Sequence, residues 1–127
     1  MRPEQHATLT IDGSVNHLTN QAGAAAVLKL VDSPTQYSIS DTFETSKSSD
    51  AELRALELGL HLASKHQITH LIIYGDSQSV TDAANGHARF PKHYEHIINL
   101  LEKFEDTHAI HLPRKENTSV DLFARLA

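Results

Sequence analysis

Apolar and polar residues alternate through ATLTIDGSV at 7–15, with frequent β-branched side chains, and this period of two predicts a strand. After the polar stretch NHLTNQ, AGAAAVLKLV at 22–31 predicts its hairpin partner. The turn signal Asp32-Ser33-Pro34 then leads to a third strand, QYSISDTF at 36–43. From Ser48 to Gln67 the period becomes helical: Leu53, Leu56, Leu60 and Ala63 recur at three and four, and Ala55, Leu58 and Leu62 widen the stripe. HLIIYGD at 70–76 is a nearly continuous apolar run, as expected of a parallel strand covered on both faces. A short helix over 77–84 stops at Asn85-Gly86. A second amphipathic helix carrying Ile97, Ile98, Leu101 and Phe104 is predicted from Pro91 to 105, followed by a last strand at THAIHL and a closing helix at NTSVDLFARLA. The order βββαβααβα predicts an α/β fold, a mixed sheet flanked by helices.

Composition narrows this picture. With 127 residues, 39% of them apolar, one modest core is expected, hence a single domain over 1–127. The absence of cysteine excludes both a disulfide framework and a thiolate zinc site. The start MRPEQHATL lacks a signal-peptide pattern, and no apolar run approaches the roughly 20 residues needed to cross a bilayer. A soluble, cytoplasmic protein with no membrane association is expected. Net charge of −5 is the wrong sign for gripping phosphate backbones by bulk electrostatics.

Four acids stand at predicted element ends, and each has an ordinary structural explanation. Asp12-Gly13 is a common turn dipeptide. Ser49-x-x-Glu52 and Thr118-x-x-Asp121 both have the form of a capping box. Asp76 or Ser77 would serve as an N-cap. The predicted topology nevertheless brings these acids together, because Asp12 and Asp76 fall at the ends of strands expected to be neighbours, where open α/β sheets bind ligands. Glu52 shares a helix face with Leu56, Gly59 and Ala63, so its side chain points with the buried stripe. No lysine or arginine lies at helical spacing on that face. Clustered carboxylates of this kind suit a hard cation such as Mg²⁺ or Mn²⁺.

The segments TIDGS (10–14), AELRALELGL (51–60), IYGDSQSV (73–80) and HLPRKENTSVDLFARLA (111–127), in this order, resemble the ribonuclease H family, particularly its short, reverse-transcriptase-like branch without a basic handle. That resemblance implies a ribonuclease H-like fold, a five-stranded mixed sheet with helices on both sides. It also implies an endonuclease that hydrolyses the RNA strand of RNA–DNA hybrids with two Mg²⁺ or Mn²⁺ ions, leaving 5′-phosphate and 3′-hydroxyl ends. Asp12, Glu52, Asp76 and Asp121 match the family's metal-binding acids. His111, ten residues before Asp121, falls at the place of its proton-shuttling histidine, and a surface or core histidine is the ordinary alternative. Gln78 resembles its minor-groove glutamine, while Asn117 either touches substrate or caps the last helix. Gly13, Ser14 and Ser48 complete the expected substrate contacts, and Arg114 with Lys115 forms either a phosphate contact or a solvated loop pair.

Two departures bear on substrate grip. VNHLTNQAG replaces the family's usual glycine-rich turn, and Ser48 stands where an asparagine is common. No basic handle fits between Gly86 and Thr107, a span expected to hold one acidic-leaning helix. Weak binding and a protein partner that delivers substrate are therefore expected. The alternatives are a related nuclease with another substrate and a non-catalytic nucleic-acid-binding or interaction module on the same fold. Ser14 stands where exonucleases of this type carry a second acid. Zinc storage through His93-x-x-His96 rests on a single pair at helical spacing.

Overall fold

The computed structural model describes residues 3–113. Five strands form one mixed sheet in the order β3-β2-β1-β4-β5. They are β1 (His6–Asn16), β2 (Gln21–Leu30), β3 (Gln36–Glu44), β4 (His70–Gly75) and β5 (Asp106–His111). The first three are antiparallel neighbours, whereas β1–β4 and β4–β5 pair in parallel. The helices are α1 (Ser48–Lys65), α2 (Gln78–Ala84) and α3 (Ile97–Leu101), with a single 3-10 turn at Lys92–Tyr94. This is the predicted architecture; the predicted closing helix lies outside the described residues.

One face of the sheet carries the larger core cluster, and Ala25 and Val27 of β2 form a smaller one apart from it. Ala7, Leu9 and Ile11 of β1 meet Leu53, Leu56 and Leu60 of α1 together with Leu71 and Ile73 of β4, all fully or nearly fully buried. Beta-strand alternation sends Asp12 to the opposite face and returns Gly13 to the helix side. At Gly13 the strand touches the backbone of α1: a Cβ there would stand 2.4 Å from the Ala51 carbonyl carbon and 2.6 Å from the Glu52 nitrogen. Two turns along the helix, the nearest atoms to a Cβ on Gly59 would belong to the side chain of Leu9, at 2.6–3.1 Å.

Several element ends differ from the sequence-based expectation. β1 runs on to Asn16, so Asp12-Gly13 is mid-strand and the turn lies beyond it, where Asn20 takes a positive φ of 59°. The capping box at Ser49 does not form: α1 starts at Ser48 with Lys47 as its N-cap, and Asp50 takes the first-turn acidic place and accepts a bond from Thr45 Oγ1 at 2.8 Å. The helix predicted from Pro91 to 105 is shortened to a 3-10 turn and the five residues of α3. Ile97, Leu100 and Phe104 of that stretch are buried in the core, Tyr94 and Leu101 pack against it, and Ile98 is 45% exposed. β4 is parallel as expected, and Ile72 on it keeps 39% exposure.

Polar ties fix the helices to the sheet. Asp41 of β3 accepts from Arg54 of α1 at 2.9 Å, Arg54 also pairs with Glu57, and Glu57 bonds His96 at the start of α3. At the sheet's far edge, Asn85 Nδ2 donates to the Ala109 carbonyl and Asn85 Oδ1 accepts from the Ala109 N–H, both at 2.8 Å. Burial pushes the Glu57 carboxyl up, but hydrogen bonds from His96 and Arg54 outweigh it and hold the group below its ordinary range.

Replacing Gly13 by alanine should destabilise the chain by about 1–3 kcal/mol, because backbone cannot retreat from the new methyl. Gly59→Ala should cost less, since Leu9 can rotate; comparable denaturant midpoints for the two variants would contradict the close strand–helix contact. Glu57 has a depressed folded pKa, so its contribution is present above the unfolded value of about 4.3 and is lost as pH falls through the lower folded value. Glu57→Gln should therefore cost about 1 kcal/mol near pH 7 and less as pH falls below the ordinary carboxylate range, read from urea melts at a series of pH values.

Candidate active site

Register places the first two acids side by side. β1 and β4 pair with a constant offset of 64, from His6↔His70 to Thr10↔Tyr74, and the same offset carried on puts Asp12 level with Asp76. The ladder ends at Thr10↔Tyr74, so the strands are no longer tied to one another where the acids lie. Glu52 arrives from α1, held over this opening by the Gly13 contact. Its Oε1 would be 3.4 Å from a Cβ on Gly75, so glycine there leaves the carboxylate room against the strand end.

The outcome is one cluster. Asp12, Glu52 and Asp76 each present a carboxylate oxygen within 4.8 Å of the others, and it is the metal-ligating group of this kind found among the described residues. Asp12 is 0% exposed and Glu52 4%, while Asp76 is half-buried. Three negative groups gathered with so little water repel one another unless positive charge compensates them. The donors are all carboxylate oxygens, which is the set that Mg²⁺ and Mn²⁺ prefer. On chemistry and convergence the residues fit such an ion.

Asp76 is not the cap of α2. Ser77 is: its side chain accepts from the Val80 N–H at 3.3 Å. The capping duty falls one residue beyond the acid, which leaves the Asp76 carboxylate to the cluster.

His111 ends β5 opposite Gly75, is exposed, and its Nε2 lies 3.1 Å from the Asp76 carbonyl oxygen. A carbonyl only accepts, so Nε2–H donates this bond, and Nδ1 is the acceptor of the ring in its neutral form. Gln78 opens α2 at the rim of the site and donates to Asp82 at 2.9 Å. Ser14 is half-buried on β1 two residues past Asp12, and Ser48 is exposed at the first turn of α1. Gly13 is buried beneath α1, where the backbone contact accounts for it. Arg114, Lys115, Asn117 and Asp121 lie outside the described residues. His93 and His96 do not form a zinc pair on one helix, because His93 is in the 3-10 turn and His96 is bonded to Glu57. Sequence reading missed the Asn85 clamp; Asn85-Gly86 signalled a helix end, but nothing local signals its bond to β5.

A mixed five-stranded sheet with acids gathered where the pairing of its parallel strands β1 and β4 ends defines a ribonuclease H-like fold. The profile of the reverse transcriptase-like family matches residues 10–127, and the chain belongs to that family, within the ribonuclease H class of nuclease hydrolases. Among solved structures it resembles the N-terminal ribonuclease H domain of a Mycobacterium tuberculosis protein, determined as a fusion with maltose-binding protein. The two are 25% identical over 98% of this chain and 94% of that one, with a TM-score of 0.89. Ribonuclease H1 of the halophilic archaeon Halobacterium salinarum is 24% identical, covering 94% and 95% of the two chains at a TM-score of 0.82. LC11 ribonuclease H1, solved with an RNA/DNA hybrid, shares the fold at 15% identity, 95% coverage of each chain and a TM-score of 0.82. No curated protein sequence matches the chain. Among the described residues no helix is long and apolar enough to cross a membrane.

Asp76→Asn should leave the melting temperature in chelator unchanged or raised, because one repelling charge is removed, whereas Ser77→Ala should cost about 1 kcal/mol by removing the cap. Added Mg²⁺ or Mn²⁺ should raise the melting temperature of the unmodified chain and not that of Asp76→Asn. The opposite ranking in chelator, with Asp76→Asn the more damaging, would make Asp76 a structural residue.

Proposed function

We propose that this chain is a ribonuclease H that cuts the RNA strand of RNA–DNA hybrids within a single domain spanning 1–127. The observation that carries the reading is the convergence of Asp12, Glu52 and Asp76, from separate parts of the chain, within 4.8 Å of one another just past the end of the parallel β1–β4 ladder. A fold neighbour solved with an RNA/DNA hybrid supports the substrate class.

Asp12, Glu52 and Asp76, joined by Asp121, would hold two Mg²⁺ or Mn²⁺ ions. When bound, these supply charge shielding at the scissile phosphate and acidify a water. The four carboxylates balance the four positive charges locally and leave room for the substrate phosphate to complete coordination. Water adds to phosphorus as the P–O3′ bond breaks, giving 5′-phosphate and 3′-hydroxyl ends. His111, with Nε2–H tied to the Asp76 carbonyl, offers Nδ1 to take up or return a proton beside that reaction. Gln78 at the start of α2 reads the minor groove and its 2′-hydroxyls, and Ser14, Ser48, Arg114 and Asn117 add contacts to the sugar and phosphate. Gly13 acts by letting α1 bring Glu52 close. With a net charge of −5, affinity for hybrid falls steeply with salt, and a protein partner delivers substrate in the cell.

Labelled RNA–DNA hybrid, RNA duplex and DNA duplex are incubated with the protein in Mg²⁺ or Mn²⁺. Cuts are expected within the RNA of the hybrid alone, abolished by chelator and by Asp76→Asn. Metal binding with no cleavage of any substrate would instead identify a binding module on this fold, and cuts confined to a strand end would identify an exonuclease.

A further inference from the structure

α2 is a short helix with a thin footing. Of its seven residues only Val80, Thr81 and Ala83 are buried, so little apolar surface fixes its tilt on the sheet. Its start is set by polar contacts: the Ser77 side chain accepts from the Val80 N–H, and the Ser77 carbonyl accepts from the Thr81 hydroxyl at 2.9 Å. Asp76, one residue earlier, is therefore carried by this end of the helix. The other end closes in a Schellman arrangement, with Gly86 at φ 79° donating to Ala83 and His87 donating to Asp82. Asn85 sits at this turn, its own N–H on the Thr81 carbonyl at 3.1 Å.

β5 lies at the edge of the sheet, and the Asn85 amide takes the place of a further strand beside it, bonded to both polar groups of Ala109. α2 and β5 are thus tied twice. At one end the tie is the bond from His111 Nε2 to the Asp76 carbonyl; at the other it is the Asn85 clamp. The two ties stand about 10 Å apart along the seven residues of the helix. On the strand, Ala109 and His111 are two residues and so about 7 Å apart. Past His111, the Leu112 N–H donates to the Gly75 carbonyl at 2.7 Å, which holds the strand end to β4 and leaves the exposed imidazole to be oriented by its own bond.

A short helix held at both ends keeps its angle to the strand. Held at one end, it can pivot on Val80 and Ala83, and the Asp76 end then swings away from His111 as the Asn85 end swings out. We propose that Asn85 is a positioning residue for His111: its clamp on Ala109 fixes how α2 lies on β5, and through that the Nε2–H bond from His111 to the Asp76 carbonyl. Asn85 is outside the carboxylate cluster, and its effect travels through the helix. The catalytic consequence rests on the ribonuclease H reading, in which a proton-handling ring set about 1 Å out of place loses much of its effect.

Two variants isolate the amide. Asn85→Ala removes both bonds, while Asn85→Asp keeps the shape and one acceptor but sets an oxygen against the Ala109 carbonyl; the two should behave alike. Ile97→Val, in the core on α3, supplies a loss of stability away from β5. In chains carrying nitrogen-15 histidine, the Nε2 resonance of His111 is assigned by its absence from His111→Ala and read without metal or substrate at about pH 8, above the ordinary imidazole range. It should move to the position of a freely exposed histidine in both Asn85 variants and stay in place in Ile97→Val. With hybrid and Mg²⁺, both Asn85 variants should lower kcat about tenfold and leave KM within about twofold. Added to His111→Ala, Asn85→Ala should lower kcat no further, as expected of a residue that acts through the histidine. An unmoved His111 resonance, or a full further fall in the His111→Ala chain, would overturn the proposal. A resonance that moves in a chain that never cuts hybrid would leave the positioning of His111 standing and remove the nuclease reading. A chain that cuts hybrid, with resonance and kcat both untouched by the Asn85 changes, would do the reverse.

Discussion

The contact between Gly13 and the first turns of α1 is the constraint on which the rest depends. Backbone meets backbone there, with no side chain between, so strand and helix approach more closely than a residue with a Cβ would allow. That approach brings Glu52 across to acids carried by two strands of the sheet. It also sets the height of α1 over β1, and so the depth at which Leu53, Leu56 and Leu60 enter the core. One residue without a side chain therefore couples the packing of the domain to the assembly of its charged centre.

Gathering three carboxylates with little solvent works against folding in the absence of cations, and the opposing stability comes from elsewhere. The core cluster spans β1, β2, β4, β5 and all three helices. The chain of ionic contacts from Asp41 through Arg54 and Glu57 to His96 then ties β3, α1 and α3 together on the helix side. These groups are partly exposed, so each contact is modest; their value is in fixing how α1 lies. The helix that positions Glu52 is thus held at its sides by charges and underneath by leucines.

How much of this was legible depended on whether the governing contact was local. The hairpin, the amphipathic α1 and the run HLIIYG were readable because period two and period 3.6 are properties of neighbouring residues. Asp12, Glu52 and Asp76 were readable as a group once strand order was inferred from the pattern. The capping box at Ser49 was a false local signal: the same Glu that suits a cap is drawn to the sheet by burial of its helix face. At α2 two adjacent residues were both good caps, and only the geometry assigns the duty to Ser77. The helix predicted after Pro91 is broken into a 3-10 turn and α3, although Tyr94, Ile97, Leu100, Leu101 and Phe104 all pack in or on the core. Asn85 was invisible in its role, since its partner is 24 residues away.

The two borders of the sheet carry a further consequence. A strand at a sheet's edge displays backbone groups to which a second molecule's strand can add, and unchecked addition leads to aggregates. On β5 the Asn85 amide occupies both groups of Ala109, breaking that row near its middle. On β3 the charge of Asp41 points inward to Arg54, so an incoming strand would have to bury itself beside an ion pair. Among the described residues, one amide and one carboxylate thus blunt the two borders of the sheet against strand addition, and neither is part of the acidic cluster.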